Sequence, residues 1–276
     1  LAAFAQDAAP EAEAPAAAAE AAVAAIDSGD TAWMLVSAVI VLFMLLPGLA
    51  LFYGGLVRAK NILSVLVQVT AVAATIMIVW VAFGGGDSPY WGGFGKLFLS
   101  GVTPDSVSGT IPEYLFIAFQ MTFACITPAL IIGAFAERVK FGAVVLFSVL
   151  WVTFVYFPIA HMAWDANGLF FGWGTLDFAG GTVVHINSGI AALVGAIIIG
   201  KRAGYGKDNM APHSLPLTMI GASILFMGWF GFNAGSALAA NGVTALAMIN
   251  TFTATAGAIL GWVVVEKMAR GHASML

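Results

Sequence analysis

The stretch "DFAGGTVVHINSGIAALVGAIIIG", beginning at Asp177, puts an acid and an imidazole into an apolar run long enough to cross a bilayer. His185 lies eight residues after Asp177, about 12 Å into a helix rising about 1.5 Å per residue. That depth is close to the middle of a hydrocarbon core about 30 Å thick. An ionisable ring at this depth can hold a small polar molecule as donor and acceptor, or relay a proton. The structural alternative is a neutral ring bonded to a helix backbone. Asp177 at the head of the run can cap free N–H groups and complement the helix dipole. Its functional alternative is a negative charge at a mouth, which favours a cation.

Helical spacing sorts the run into two faces. Gly181, His185, Ser188, Gly189, Ala192 and Ala196 form one stripe, and Val183, Ile186, Ile190, Leu193, Val194 and Ile197 form the other. The stripe of small residues therefore turns His185 toward another helix or a cavity. His161 falls near an outer helix end, and His213 and His272 fall in basic loops. None has the spacing of a metal site with a second ligand. Cys125 reads as a small buried filler. No Ser-His-Asp set, phosphate-binding glycine loop or dinucleotide pattern is present, so no enzyme activity and no cofactor are expected. The absence of a basic aromatic patch sets nucleic acid aside.

The elements that must position His185 are membrane helices. The chain has 276 residues, 61% hydrophobic and 9% charged, with mean hydropathy +0.97. Soluble chains carry roughly a quarter charged residues. Seven spans are predicted, over Ala32–Val57, Ile62–Phe83, Tyr114–Ala136, Phe141–Ala163, Phe178–Gly200, Leu217–Gly235 and Thr244–Val265. Nine of the ten basic residues fall in the loops after the odd-numbered spans, and Lys96 alone falls on the other side. The positive-inside rule makes the first side cytoplasmic and puts the amino-terminus outside. Residues 1–30 are Ala-rich and acidic. Ala3-Phe4-Ala5 resembles the small-residue end of a cleaved signal peptide, and Gln6–Asp30 reads as a weakly ordered exported tail. Residues 31–276 form the membrane domain. Seven spans suggest a receptor of the G-protein-coupled type, but the loop chemistry differs and the 32 glycines suit a tightly packed transporter or channel.

A repeat lies within these spans. At an offset of 180, Gly48, Phe52, Gly55, Ala59 and Asn61 match Gly228, Phe232, Gly235, Ala239 and Asn241. Five spans separate the copies, and an odd number inverts topology, which is how many transporters build a midplane site. A five-plus-five repeat would continue past Leu276.

The strings "PGLALFYGGLVRAKN", "FQMTFACITPALIIGAFAERVKF", "HMAWDANG", "DFAGGTVVHINSGIAALVG" and "GWFGFNAGSALAAN" resemble, in order and spacing, the ammonium transporter/methylammonium permease/Rhesus family, its bacterial ammonium transporters above all. The resemblance runs from about Asp30 to the end. It implies an all-α membrane fold of eleven helices in two inverted five-helix repeats, seven of them in this chain, with three subunits per assembly. It also implies that Phe123, Trp164 and Ser236 form an outer ammonium-recruitment site. Phe123 and Phe232 would form a stacked gate, His185 the first of two pore histidines, and Asp177 a support ordering the backbone behind the recruitment site. The second pore histidine would sit on a helix beyond Leu276, so these residues alone would not complete a pore. The expected function is uptake of ammonium from outside, with deprotonation near the gate and passage of ammonia past His185 into the cytoplasm. The implied partners are ammonium, methylammonium, two further copies, the lipid bilayer of the inner membrane and a cytoplasmic PII-type regulatory protein. The alternatives are an ammonium sensor of the same fold coupled to a signalling domain, and a structural half-module that needs another chain.

Overall fold

A computed structural model describes residues 25–82 and 88–274. The expected signal-peptide remnant and most of the expected tail, residues 1–24, lie outside the described residues. Among the described residues, seven helices are long and apolar enough to cross a membrane: α1 Ser28–Leu56, α2 Ala59–Trp80, α3 Glu113–Phe135, α4 Phe141–Gly172, α5 Gly181–Ile199, α6 Leu215–Ala237 and α7 Gly242–Arg270. They coincide with the seven predicted spans. The first begins earlier than the apolar run because Asp27 caps it, its carboxylate accepting from the Asp30 N–H at 2.8 Å. The last three residues read as tail are therefore helical. A two-residue hairpin, β1 Val107–Ser108 paired antiparallel with β2 Ile111–Pro112, sits in the loop before α3.

The spans are not uniform α-helix. In α1 the stretch Met44–Leu49 is π-helical and contains Pro47. Proline has no N–H to give to the carbonyl a turn earlier and its ring crowds that carbonyl, so the ladder widens locally. α4 widens in the same way over Val152–Tyr156, just before Pro158.

α3 is the central span and packs against α1, α2, α4 and α5. Its buried residues run nearly all round it, including Phe119, Phe123, Ala124, Ile126, Ala129 and Ile132. α6 lies along α1. α7 is mostly exposed and meets the rest chiefly through the turn Ala234–Ala237.

The α1–α6 contact displays the inverted repeat. A Cβ on Gly48 would lie 2.9 Å from Ile224 Cγ2, and one on Gly228 would lie 2.2 Å from Met44 Cβ. Adding 180 to Met44 gives Ile224, so each contact is the image of the other. Gly55 closes on Thr218 and Gly235 on Ser37, the same relation to within one residue. Asn61 sits at the N-cap of the α-helical part of α2, Ile62–Trp80, and Asn241 at the N-cap of α7. These paired contacts show that α1 and α6 run antiparallel, as copies of opposite topology must.

The basic loops meet at one end of the bundle. Glu137, after α3, accepts from the Arg58 N–H and Nε, each at 2.9 Å, and from Arg202 Nη1 at 3.3 Å. Arg58 lies 3.7 Å from Asp208, and His213 Nδ1 is 2.9 Å from the Val57 carbonyl. The opposite end carries the Lys96–Glu113 pair and six of the nine described acidic residues: Asp27, Asp30, Asp105, Glu113, Asp165 and Asp177.

Candidate functional site

The site starts from the head of α5. Asp177 Oδ1 accepts from the Gly180 and Gly181 N–H groups at 2.5 and 3.0 Å. Its Oδ2 accepts from Thr182 and Val183 at 2.8 and 2.9 Å. One carboxylate thus satisfies four donors that a helix start leaves free. The capping reading of Asp177 describes this geometry. Gly180 makes the turn with φ +88°, and a Cβ there would meet Val184 Cγ2 at 2.7 Å, so only glycine fits.

The first turn of α5, Gly181–Ile186, is π-helical. The His185 N–H reaches back to the Gly180 carbonyl at 3.0 Å. This extra residue per turn alters the face expected from regular helical spacing. Val183, expected opposite the small-residue stripe, is fully buried, as is Val184. Ser188 is buried and donates to the Val184 carbonyl at 2.6 Å, and Gly195 lies against the Phe135 ring. His185 is left exposed at the edge of this packed face, as are Gly181 and Gly189 of the expected small-residue stripe, and it borders an open cavity of about 700 Å³ that Asp177, Trp229, Asn233, Asn250 and Thr251 also line.

Rings from four elements stand in a column. Trp164, at the end of α4, meets Phe123 edge-on with centroids 5.9 Å apart. Phe123 of α3 stacks on Phe232 of α6 at 4.0 Å and 24°. The His185 ring lies 5.9 Å beyond Phe232. Phe123 and Phe232 are 1% and 0% exposed, so both rings of the stack are buried. Trp164 is fixed by its Nε1–H, which donates to the Asp177 carbonyl at 3.0 Å. Asp177 therefore orders both ends of the column, with its side chain at α5 and its backbone at Trp164.

Ser236 lies one turn beyond Phe232 and donates its hydroxyl hydrogen to the Phe232 carbonyl at 2.7 Å. With its hydrogen so used, the oxygen keeps lone pairs that can accept from a donor. The structure brings Phe123, Trp164, Phe232, His185 and Asp177 together by direct contact, and Ser236 joins them through Phe232.

Some neighbours were not singled out from the sequence. Phe119 lies 5.0 Å from Phe123, and its signal was the four-residue helical spacing. Asn233 donates to Thr251 Oγ1 at 3.1 Å on the wall of the His185 cavity. Its signal was a lone amide in an apolar span. Trp229 gave none. His161, one turn before Trp164, lines a further cavity with it and has Nε2 2.6 Å from the Ser88 carbonyl.

A profile of the Ammonium Transporter Family matches residues 32–276. The chain belongs to the ammonium transporter family. An ammonium transporter of Mycobacterium tuberculosis (strain ATCC 25618 / H37Rv) is 45% identical over 281 residues, covering 91% of this chain and 59% of that protein. One of Bacillus subtilis (strain 168) is 48% identical, covering 90% of this chain and 62% of its own length. Among solved structures of the family, Candida albicans Mep2 superposes with TM-score 0.81 at 33% identity, covering 90% of this chain and 57% of that one. A structure titled "Sensor Amt Protein" superposes with TM-score 0.81 at 28% identity, covering 89% and 64%. The chain thus spans about three fifths of the length of the family members it matches. The ring column and the α1–α6 repeat both fall inside the matched residues.

Proposed function

We propose that the chain serves ammonium uptake across an inner membrane, with its amino-terminus and Trp164 outside and the Arg58 end in the cytoplasm. The observation that carries this reading is the buried Phe123–Phe232 stack standing between Trp164 and His185. Ammonium at neutral pH is a cation, and a bare cation in hydrocarbon is very costly. The Trp164 and Phe123 rings can replace part of its water shell, each contact giving about 0.5–1 kcal/mol when exposed and about 2 when desolvated. The Ser236 oxygen accepts one N–H bond. Potassium has no hydrogen to offer there, so discrimination rests on that polar contact.

The stack excludes bulk water, and the cation loses its proton at it. Ammonia then passes His185, whose ring offers a donor and an acceptor. The proton travels separately along the histidine path. Two further copies complete a trimer, and a PII-type protein docks on the basic loops. The family names of the relatives support transport, as do the acidic Trp164 end and the basic Arg58 end. The sensor reading has the 28% identical structure behind it, whereas relatives at 45–48% identity are named transporters.

The test replaces His185 with Ala in the protein expressed in full from its gene. Methylammonium uptake and its pH-dependent current should be lost while ammonium binding at Trp164, read by tryptophan fluorescence, is kept. Unchanged uptake would refute the role of His185.

A further inference from the structure

Two turns along α3 from Phe123 lies Leu130, and two turns along α5 from His185 lies Ala192, each about 10 Å nearer the Arg58 end. Both line a second cavity of about 510 Å³ with Tyr53, Arg138 and Arg202. Its other lining residues are Leu56, Val57, Gly133, Ala134 and Ala136, so among the described residues the two arginines are its only charged side chains. Arg202 shares the Glu137 carboxylate with Arg58. Arg138 donates to the carbonyls of Gly200 and Ala134, and its Nε is buried with no hydrogen-bond partner among the described residues. Its positive charge faces no carboxylate within ion-pair distance there.

We propose that Arg138 and Arg202 form an electrostatic barrier at this mouth that passes neutral ammonia and turns back ammonium. The inference deepens the uptake reading and rests on it. A cation entering an apolar-walled space meets like charge where the effective dielectric is low and repulsion is strong. A neutral molecule feels no such repulsion. The acidic Trp164 end attracts cations and this end repels them, so the two ends differ in what they admit.

The experiment measures ammonium-driven current and methylammonium flux in membranes holding the full gene product, from each side in turn. Arg202→Gln and Arg138→Gln should raise cation current entering from the arginine side by roughly tenfold, with uptake from the Trp164 side within about twofold. Arg202→Lys and Arg138→Lys, which keep the charge, should match the native protein. High salt on the arginine side of the native protein should imitate the Gln variants by screening, which tests the charge without altering the fold. Equal behaviour of the Gln and Lys variants, or a cation current unmoved by both salt and substitution, overturns the barrier while leaving uptake in place. Absence of ammonium-driven transport in the native protein from either side overturns the uptake reading, and the barrier with it.

Discussion

Asp177 shows how one side chain can set a site without facing it. Its two oxygens hold four N–H groups, and its carbonyl holds the Trp164 indole. Asp177→Asn would leave one acceptor oxygen and turn an amide NH₂ toward two donors. Buried donors left without partners cost about 1–3 kcal/mol. The variant should therefore unfold at lower temperature in detergent, by differential scanning fluorimetry, and its Trp164 should be more readily quenched. An unchanged midpoint together with unchanged quenching would contradict the double role. Phe123 and Phe232 differ in kind, since each is buried and their importance lies in the 4.0 Å stack they make with each other.

At the scale of elements, the contact of α1 with α6 is tight because glycines stand where a methyl group would collide. The two images of that contact respond differently to repair. Gly48→Ala would meet the side-chain tip Ile224 Cγ2, whereas Gly228→Ala would meet Met44 Cβ itself. Overpacking of this kind costs about 1–3 kcal/mol. Adding Ile224→Ala should restore most of the stability lost in Gly48→Ala. Adding Met44→Ala should not rescue Gly228→Ala, because alanine keeps the offending Cβ. Thermal midpoints of the single and double variants decide this, and rescue of both would mean that the helices shift apart freely. The same scale explains the Val183 result. A regular helix puts Val183 opposite the small residues, but the π-helical turn Gly181–Ile186 rotates it into the core and leaves His185 at the cavity wall.

For the whole molecule, Glu137 ties together the loops after α1, α3 and α5. Its side chain is 1% exposed. Burial pushes its carboxyl up, but hydrogen bonds from the Arg58 N–H and guanidinium and the Arg58 charge outweigh it and hold the group at about 2, below its ordinary 4.5. The folded state thus binds its proton less readily than the unfolded chain. The stabilisation is fully present above about pH 4.5 and is lost as pH falls toward about 2. Purified protein should keep the protease resistance of its Arg58-end loops at pH 5 and lose it progressively below pH 4. Glu137→Ala, which leaves two arginines without their partner, should cost about 3 kcal/mol and lose that resistance at pH 7. A variant as resistant as the native protein would show that the loops are held by helix packing alone.

The sequence alone determined the seven spans, the grouping of its basic loops and the capping option at Asp177. Each follows from local chemistry: apolar length, charge on short loops, and an acid ahead of free N–H groups. The resemblance of its longer strings added the family. Residues 1–24 stay an expectation, outside the described part of the chain. Only the tertiary structure decided that Phe123 and Phe232, 109 positions apart, share one stack, that His185 lines a cavity, and that Arg138 and Arg202 face another. Contacts between distant spans depend on where π-turns shift the helical register and where glycines let backbones close. Those choices are made by packing in three dimensions, which no periodicity along a single span can encode.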